Sequence, residues 1–279
     1  MFYQALDTGC IGHGNAGFLE AAALAARHGF EGFWFEAGRD FTIPAAQTAA
    51  LLKAHGLQAA GFSLPLDFRG EDAAFQSGLD KLPSRAAYAR AIGITRCATW
   101  IMPAHDTLDF DSNFALHKER LSKAAAILKQ EGIWLGLEFV GPENMRRGKR
   151  HPFLHNLDGI LSLCGAIGTG NCGLLLDIWH WQLAGQTFAD FNRFSDPRQV
   201  VCVHLNDAPP NIPDADQVDQ VRRLPGTTGV LNAAAFFAGL HKAGFDGPVM
   251  AEPFEPFLGS IPLEDAIRVV KRHLDRVWP

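Results

Sequence analysis

GIWLGLEFVG, residues 132–141, opens on a glycine, continues as a short apolar run, and ends on a carboxylate and a further glycine. Trp134–Phe139 reads as a strand because it is brief, apolar and bounded by turn signals. Asn113–Glu131 before it has helical spacing and stops at Gly132, where glycine supplies a left-handed cap. Leu157–Ile167 after it is helical again and leads into a second apolar run, Gly173–Asp177. The alternation extends in both directions. Strands are expected at Phe2–Leu6, Gly32–Phe35, Gln58–Phe62 and Arg96–Trp100 upstream, and at Val200–Leu205 and Pro248–Glu252 downstream, eight in all. Between and after them lie helical patterns at Ala16–His28, Ala45–His55, Lys81–Ile92, Phe188–Phe194 (short), Asn232–Ala243 and Leu263–Val277. Short buried strands alternating with helices imply a parallel sheet with crossover helices. Eight such units in 279 residues fit a closed barrel, so the expected fold is α/β, a single-domain (β/α)8 TIM barrel spanning residues 1–279 with a parallel eight-stranded sheet. An open doubly wound sheet is the alternative, weakened by the lack of a GxGxxG after the first strand.

Composition narrows the function. With 25 Lys+Arg against 30 Asp+Glu the formal charge is −5, and no long basic run offers a surface for a polyanion, so nucleic acid is not an expected partner. The N-terminus MFYQALDTGCIGHGN has neither a basic nor an apolar leader segment, and no window approaches ~20 apolar residues, so no membrane role is expected and the location is read as cytoplasmic. Cys10, Cys97, Cys164, Cys172 and Cys202 form no CxxC pair and are odd in number, which suits packing thiols in a reducing compartment.

In a barrel, a polar residue that closes an apolar strand faces the mouth of the sheet. Four successive strands end this way: Glu138 in GLEFV, Asp177 in LLLDIWHW, His204 in VVCVHLND and Glu252 in PVMAEPFEP. Singly, each could be an ion-pair partner or a satisfied core residue. Together, three carboxylates and one imidazole describe a site for one divalent metal ion, Mn²⁺, Mg²⁺ or Co²⁺ by the oxygen-rich ligand set, with Zn²⁺ also admissible. Without an ion the carboxylates would repel, and at least one would hold a proton.

The segments GLEFVGP, LLLDIWHWQLAG, HLNDAP, RRLPGTTGVLN and AEPFEP, in that order, resemble the xylose-isomerase-like TIM barrel superfamily of sugar isomerases and epimerases. Within it the likeness is greatest to the inosose (2-keto-myo-inositol) isomerases, strong from about Trp134 onward and a matter of pattern before it. The resemblance implies that Glu138, Asp177, His204 and Glu252 are the metal ligands, that His180 in DIWH holds a substrate oxygen, and that Arg222, three residues before Pro225, reaches another. Arg223 is adjacent, and Arg222 is the one expected to point inward. The resemblance also implies a homo-oligomer.

Further candidates lie near the expected mouth. Relatives often carry a glutamate where this chain has Trp34, with Glu36 two residues on and on the same strand face. Trp34 either packs as core or narrows the pocket. Trp100, Trp179, Trp181, Phe139 and Phe254 would suit stacking on a carbon ring, or simply pack. His13, in the glycine-rich loop GCIGHGNAG, is a candidate substrate contact; that loop is weak evidence for phosphate binding. Asn206 and Asp207 either orient ligands from behind or start the long Pro- and Asp-rich stretch Asn206–Gly229, whose length suits a lid or binding loop. Arg147, Lys149 and Arg150 form a small basic run that reads as a solvated surface.

The chemistry these residues permit is proton transfer next to a carbonyl, through an enediolate stabilised by the metal, with Glu138 and Glu252 as acid and base and no organic cofactor. The expectation is a metal-dependent isomerase or epimerase of a small sugar or keto-polyol, inosose above all. Alternatives on the same scaffold are a dehydratase or a hydroxypyruvate or ketose isomerase. A sugar-binding protein without turnover and a DNA-repair endonuclease of the same barrel type fit less well, the second because the chain is acidic.

Overall fold

The strand register carries four polar strand ends to the same rim, and the rest of the architecture holds them there. The structure, a computed structural model, describes residues 1–279. In chain order the strands are β1 (Tyr3–Leu6), β2 (Gly32–Glu36), β3 (Gln58–Ser63), β4 (Arg96–Ile101), β5 (Ala104–His105), β6 (Trp134–Phe139), β7 (His151–Pro152), β8 (Cys172–Asp177), β9 (Val200–Leu205) and β10 (Pro248–Ala251). Eight of them close a barrel in the order β1-β10-β9-β8-β6-β4-β3-β2, every pairing parallel. The helices are α1 (Phe18–Arg27), α2 (Ala37–Asp40), α3 (Ala45–His55), α4 (Asp72–Ala91), α5 (Phe110–Gln130), α6 (Leu157–Ile167), α7 (Ile178–Leu183), α8 (Ala233–Lys242) and α9 (Leu263–Val277). None is long and apolar enough to cross a membrane.

Local chemistry sets the helix ends. Asp109, Asn156 and Asn232 accept the N–H of the residue three further on, at 2.8 to 3.0 Å, and Gly56 and Gly168 close α3 and α6 in the left-handed conformation. The expected elements are present, the short Phe188–Phe194 segment as a 3-10 helix over Phe188–Arg193, with two further kinds of difference. Helix α4 starts nine residues before the expected Lys81, because Gly78 and Pro83 interrupt its pattern without breaking it. At Gly78 a Cβ would come within 2.7 Å of Leu66, so that glycine allows the helix to lie close on the preceding loop. The small elements α2 and α7 and the antiparallel pair β5–β7 were not expected; they lie in loops at the strand ends, where periodicity is too short to show.

Two apolar layers result. The larger lies between sheet and helices, from Phe18 and Phe33 to Leu274. The smaller fills the barrel lumen with Tyr3, Ala5, Trp34, Ala60, Ala98, Leu175, Cys202 and Met250. Trp34 crosses the lumen over Gly61, where any Cβ would stand 2.2 Å from its ring, and donates from Nε1 to Ser63 Oγ at 3.1 Å. It therefore packs as core while its upper face floors the cavity above it.

The stretch Asn206–Gly229 is held by one buried carboxylate. Asp207 Oδ1 accepts from the N–H groups of Ala208 (2.8 Å) and Leu231 (3.1 Å), and Oδ2 from those of Thr228 (2.8 Å) and Gly229 (2.7 Å). Its backbone also exchanges both hydrogen bonds with Arg223, each 2.8 Å. Asp207→Ala orphans four N–H groups, so stability should fall by about 3 kcal/mol or more, or on the order of 10 °C in Tm. Differential scanning calorimetry checks this, and an unchanged Tm would mean that the loop is anchored elsewhere.

Candidate metal centre and cavity

Register brings the four strand-end groups together. His204 pairs directly with Asp177 across β8–β9 and with Met250 across β9–β10; Glu252 follows β10, its N–H on Leu205 O at 2.9 Å. One ligand atom from each of Glu138, Asp177, His204 and Glu252 lies within 4.8 Å of all the others. His204 Nδ1 is 3.3 Å from Glu252 Oε2, 3.8 Å from Glu138 Oε1 and 4.0 Å from Asp177 Oδ2. Glu138, Asp177 and His204 are buried, and Glu252 is partly exposed at the cavity.

The electrostatics of the cluster call for positive charge. Burial, then the Glu252 charge, pushes the Glu138 carboxyl well above the usual carboxylate range. Burial opposes charging His204, but Glu252, Glu138 and Asp177 outweigh it and hold the imidazole at a pKa of about 10. Burial would raise Glu252 too, yet His204 and Arg222 pull it below the usual range. Glu138 Oε1 and His204 Nδ1 are buried without a hydrogen-bond partner. Two orphaned polar atoms of opposite preference, among carboxylates grouped at close to ligand-to-ligand spacing, fit a divalent cation. The donor set, three carboxylates and one imidazole, suits Mn²⁺, Co²⁺ or Zn²⁺.

Arg222 stands behind the cluster, 1 % exposed. Its Nη1 donates to Asp177 Oδ2 (2.7 Å) and Glu252 Oε2 (2.6 Å), and its Nη2 to Asp219 Oδ1 (2.8 Å). Burial opposes its charge, but these carboxylates hold it firmly protonated. His180 is buried beside it, Nε2 3.1 Å from Arg222 Nη2 and Nδ1 3.3 Å from the Gly141 N–H. Burial and the arginine charge lower its pKa to about 4, so the imidazole is neutral. Asn206 Nδ2 donates to both oxygens of Asp177 (3.2 and 3.1 Å) and to Glu252 O (3.3 Å), which ties two ligand strands. Arg223 points away, 3.8 Å from Glu255.

The cluster opens onto a cavity of about 370 Å³. Glu138, His204 and Glu252 line it together with Asp7, Trp34, Glu36, Ser63, Arg69 and Trp100. Arg222, His180 and Asp177 are not among the lining residues. Glu36 accepts from Ser63 Oγ, and burial raises its pKa against that bond. Trp100 stands at the mouth, 41 % exposed. Trp179 is fully buried in the core with its ring 5.5 Å from the Arg222 guanidinium, and Trp181 packs tilted against Phe191. His13 meets Leu258 O at 2.9 Å outside the cavity lining.

Asp7, Cys10, Ser63, Arg69 and Asp219 belong to the site or its surround without having been singled out in the sequence. Asp7 follows β1 directly, so the strand-end rule applied to the first strand finds it. Its carboxyl is raised by burial and accepts the Gly9 N–H at 2.7 Å. Cys10 was read as a packing thiol; it faces the cavity with Sγ 3.6 Å from Glu252 Oε1. Its position in a loop after β1 left no period to read.

A profile of the family described as "xylose isomerase-like TIM barrel" matches residues 22–276. Among curated proteins, an inosose isomerase of Halalkalibacterium halodurans is 27 % identical over 153 residues, 54 % of this chain and 50 % of that one, so the match spans half the length of that relative. Among solved structures, a xylose isomerase domain protein from Alicyclobacillus acidocaldarius superposes with a TM-score of 0.86 at 27 % identity, covering 99 % of this chain and 98 % of the other. The IolI protein, solved with a bound zinc atom, gives 0.81 at 16 % identity over 99 % and 98 % of the two chains.

The cluster makes a linked prediction about metal and pH. Zn²⁺ or Mn²⁺ added to metal-free protein should raise Tm, with EDTA reversing the rise. His204 must lose its proton to ligate, so affinity should strengthen as pH rises toward about 10, close to tenfold per unit for one released proton. Calorimetric titration at several pH values checks both, and a pH-independent affinity would remove His204 from the ligand set.

Proposed function

The chain belongs to the xylose isomerase-like TIM barrel family, and on that premise we propose that it is an isomerase or epimerase of a small sugar or keto-polyol, working with one divalent metal ion. The observation that carries this reading is the convergence of Glu138, Asp177, His204 and Glu252 to within 4.8 Å at the wall of a cavity that has further polar residues in its lining. The ion these four would hold supplies Lewis acidity, making the carbon next to a substrate carbonyl easier to deprotonate.

The chain's own residues supply the rest. Glu138 and Glu252 both line the cavity, and their environments push their carboxyls in opposite directions. That separation suits an acid and base pair. Glu138 and Glu252 act as that pair, one taking the proton from carbon and the other returning one to the neighbouring carbon or the opposite face. Arg222 holds Glu252 and Asp177 in place through its two Nη1 contacts, and neutral His180 packs against that guanidinium. Trp34 closes the cavity floor and keeps water out of the lumen beneath the site. The likeness to an inosose isomerase makes inosose the first substrate to try.

The test is NMR in D₂O with the metal-loaded protein and a panel of inososes and ketoses. Deuterium should appear on the carbon beside the carbonyl, and the substrate should convert to an isomer rather than to a dehydrated enone or dione. Glu252→Gln and Glu138→Gln should each slow this by about 10²-fold or more. Exchange at the wild-type rate in Glu252→Gln would defeat the acid and base reading.

A further inference from the structure

The cavity onto which the metal ligands open also carries a cation that no carboxylate neutralises. Arg69 lies in the loop after β3 and reaches over to Trp100 of β4, while its side chain lines the same cavity as Glu138, His204 and Glu252. Its guanidinium carbon sits 4.3 Å from the centre of the Phe68 ring and 4.0 Å from that of Trp100. Nη2 donates to Trp100 O, Nε is buried without a partner, and Nη1 makes no hydrogen bond within the protein. Arg222 shows the contrast, with three carboxylates around it. The acid nearest in charge to Arg69 is Asp67, whose Oδ1 is already taken by the N–H groups of Arg69 (3.3 Å) and Gly70 (2.9 Å).

The loop is built to present this side chain. Asp67 holds the Arg69 backbone from one side. From the other, buried Arg120 donates to Phe68 O (3.0 Å) and Gly70 O (2.6 Å), on both flanks of Arg69. Gly70 makes the turn feasible, since any Cβ there would fall 2.2 Å from an Asp67 oxygen. Burial lowers the Arg69 pKa only to about 10, so the group is charged at neutral pH. A fixed, partly desolvated guanidinium with open donor capacity in a ligand cavity is completed by an anionic oxygen.

We propose that Arg69 is an anion-binding residue of the cavity, and that the physiological substrate is a hydroxy-ketone carrying a carboxylate or phosphate. The inference rests on the proposed site reading and narrows its substrate from neutral inososes to acidic keto-sugars. Arg69 acts through binding; the stack on Phe68 and Trp100 fixes where the charge points.

The experiment measures affinities by calorimetry on zinc-loaded protein with four probes: scyllo-inosose and D-fructose as neutral ligands, 5-keto-D-gluconate as the carboxylate and D-fructose 6-phosphate as the phosphate. At least one acidic probe should bind roughly tenfold or more tightly than the neutral pair, and that arm names the anion. Arg69→Gln should bring the acid to the neutral level, while Arg69→Lys should keep part of the preference; bound zinc and Tm verify that each variant is folded and loaded. Higher salt should weaken the preference. Equal binding of acidic and neutral probes by the wild type would overturn the proposal, as would a preference that survives Arg69→Gln, which would place the anion on the metal. Deuterium exchange on the same probes separates the two readings. Anion preference lost in Arg69→Gln without exchange on any probe would sink the isomerase reading alone, and exchange on inosose without anion preference would sink this one alone.

Discussion

Three carboxylates share a buried volume at one end of this barrel, and their mutual repulsion is the constraint around which the molecule is arranged. Arg222 sits on two of them and on Asp219; His204 is driven toward its charged form; Glu138 is driven toward its neutral one. Each is a partial answer to the same excess of negative charge. A divalent cation answers it at once, and it would also occupy the orphaned atoms of Glu138 and His204. The supporting contacts read as consequences. Asn206 bridges Asp177 and the Glu252 carbonyl, and Asp207 next to it anchors the loop that delivers Arg222.

The barrel divides its labour by halves. Strands β6, β8, β9 and β10 carry the charged cluster, while β1 to β4 and their loops carry the rest of the cavity lining: Asp7, Trp34, Glu36, Ser63, Arg69 and Trp100. Trp34 over Gly61 limits the depth of the cavity, and the Arg69–Trp100 stack shapes its mouth. A parallel barrel allows this division because every strand delivers its C-terminal end to the same rim, so residues far apart in sequence meet without a loop having to travel.

The eight-strand alternation, and the four polar closures at Glu138, Asp177, His204 and Glu252, were legible from the amino-acid order alone, because a strand buried on both faces tolerates a polar group only at its end. That rule is local, and it would have extended to Asp7. It does not reach Arg69, Cys10 or Asp219, which lie in loops where neither period nor strand end marks a direction. It also does not say which way an aromatic turns: Trp34 and Trp179 look alike in sequence, yet one floors the cavity and the other is sealed in the core.

Sequence by itself determined the barrel and the polar ends of its strands, since hydrophobic periodicity and burial cost are properties of neighbouring residues. Tertiary structure alone decided that Arg222 grips Asp177 and Glu252 instead of lining the cavity, and that Arg69 lines it without a carboxylate partner. Those outcomes depend on distances between residues separated by 30 to 45 positions, and only ring closure and register set such distances.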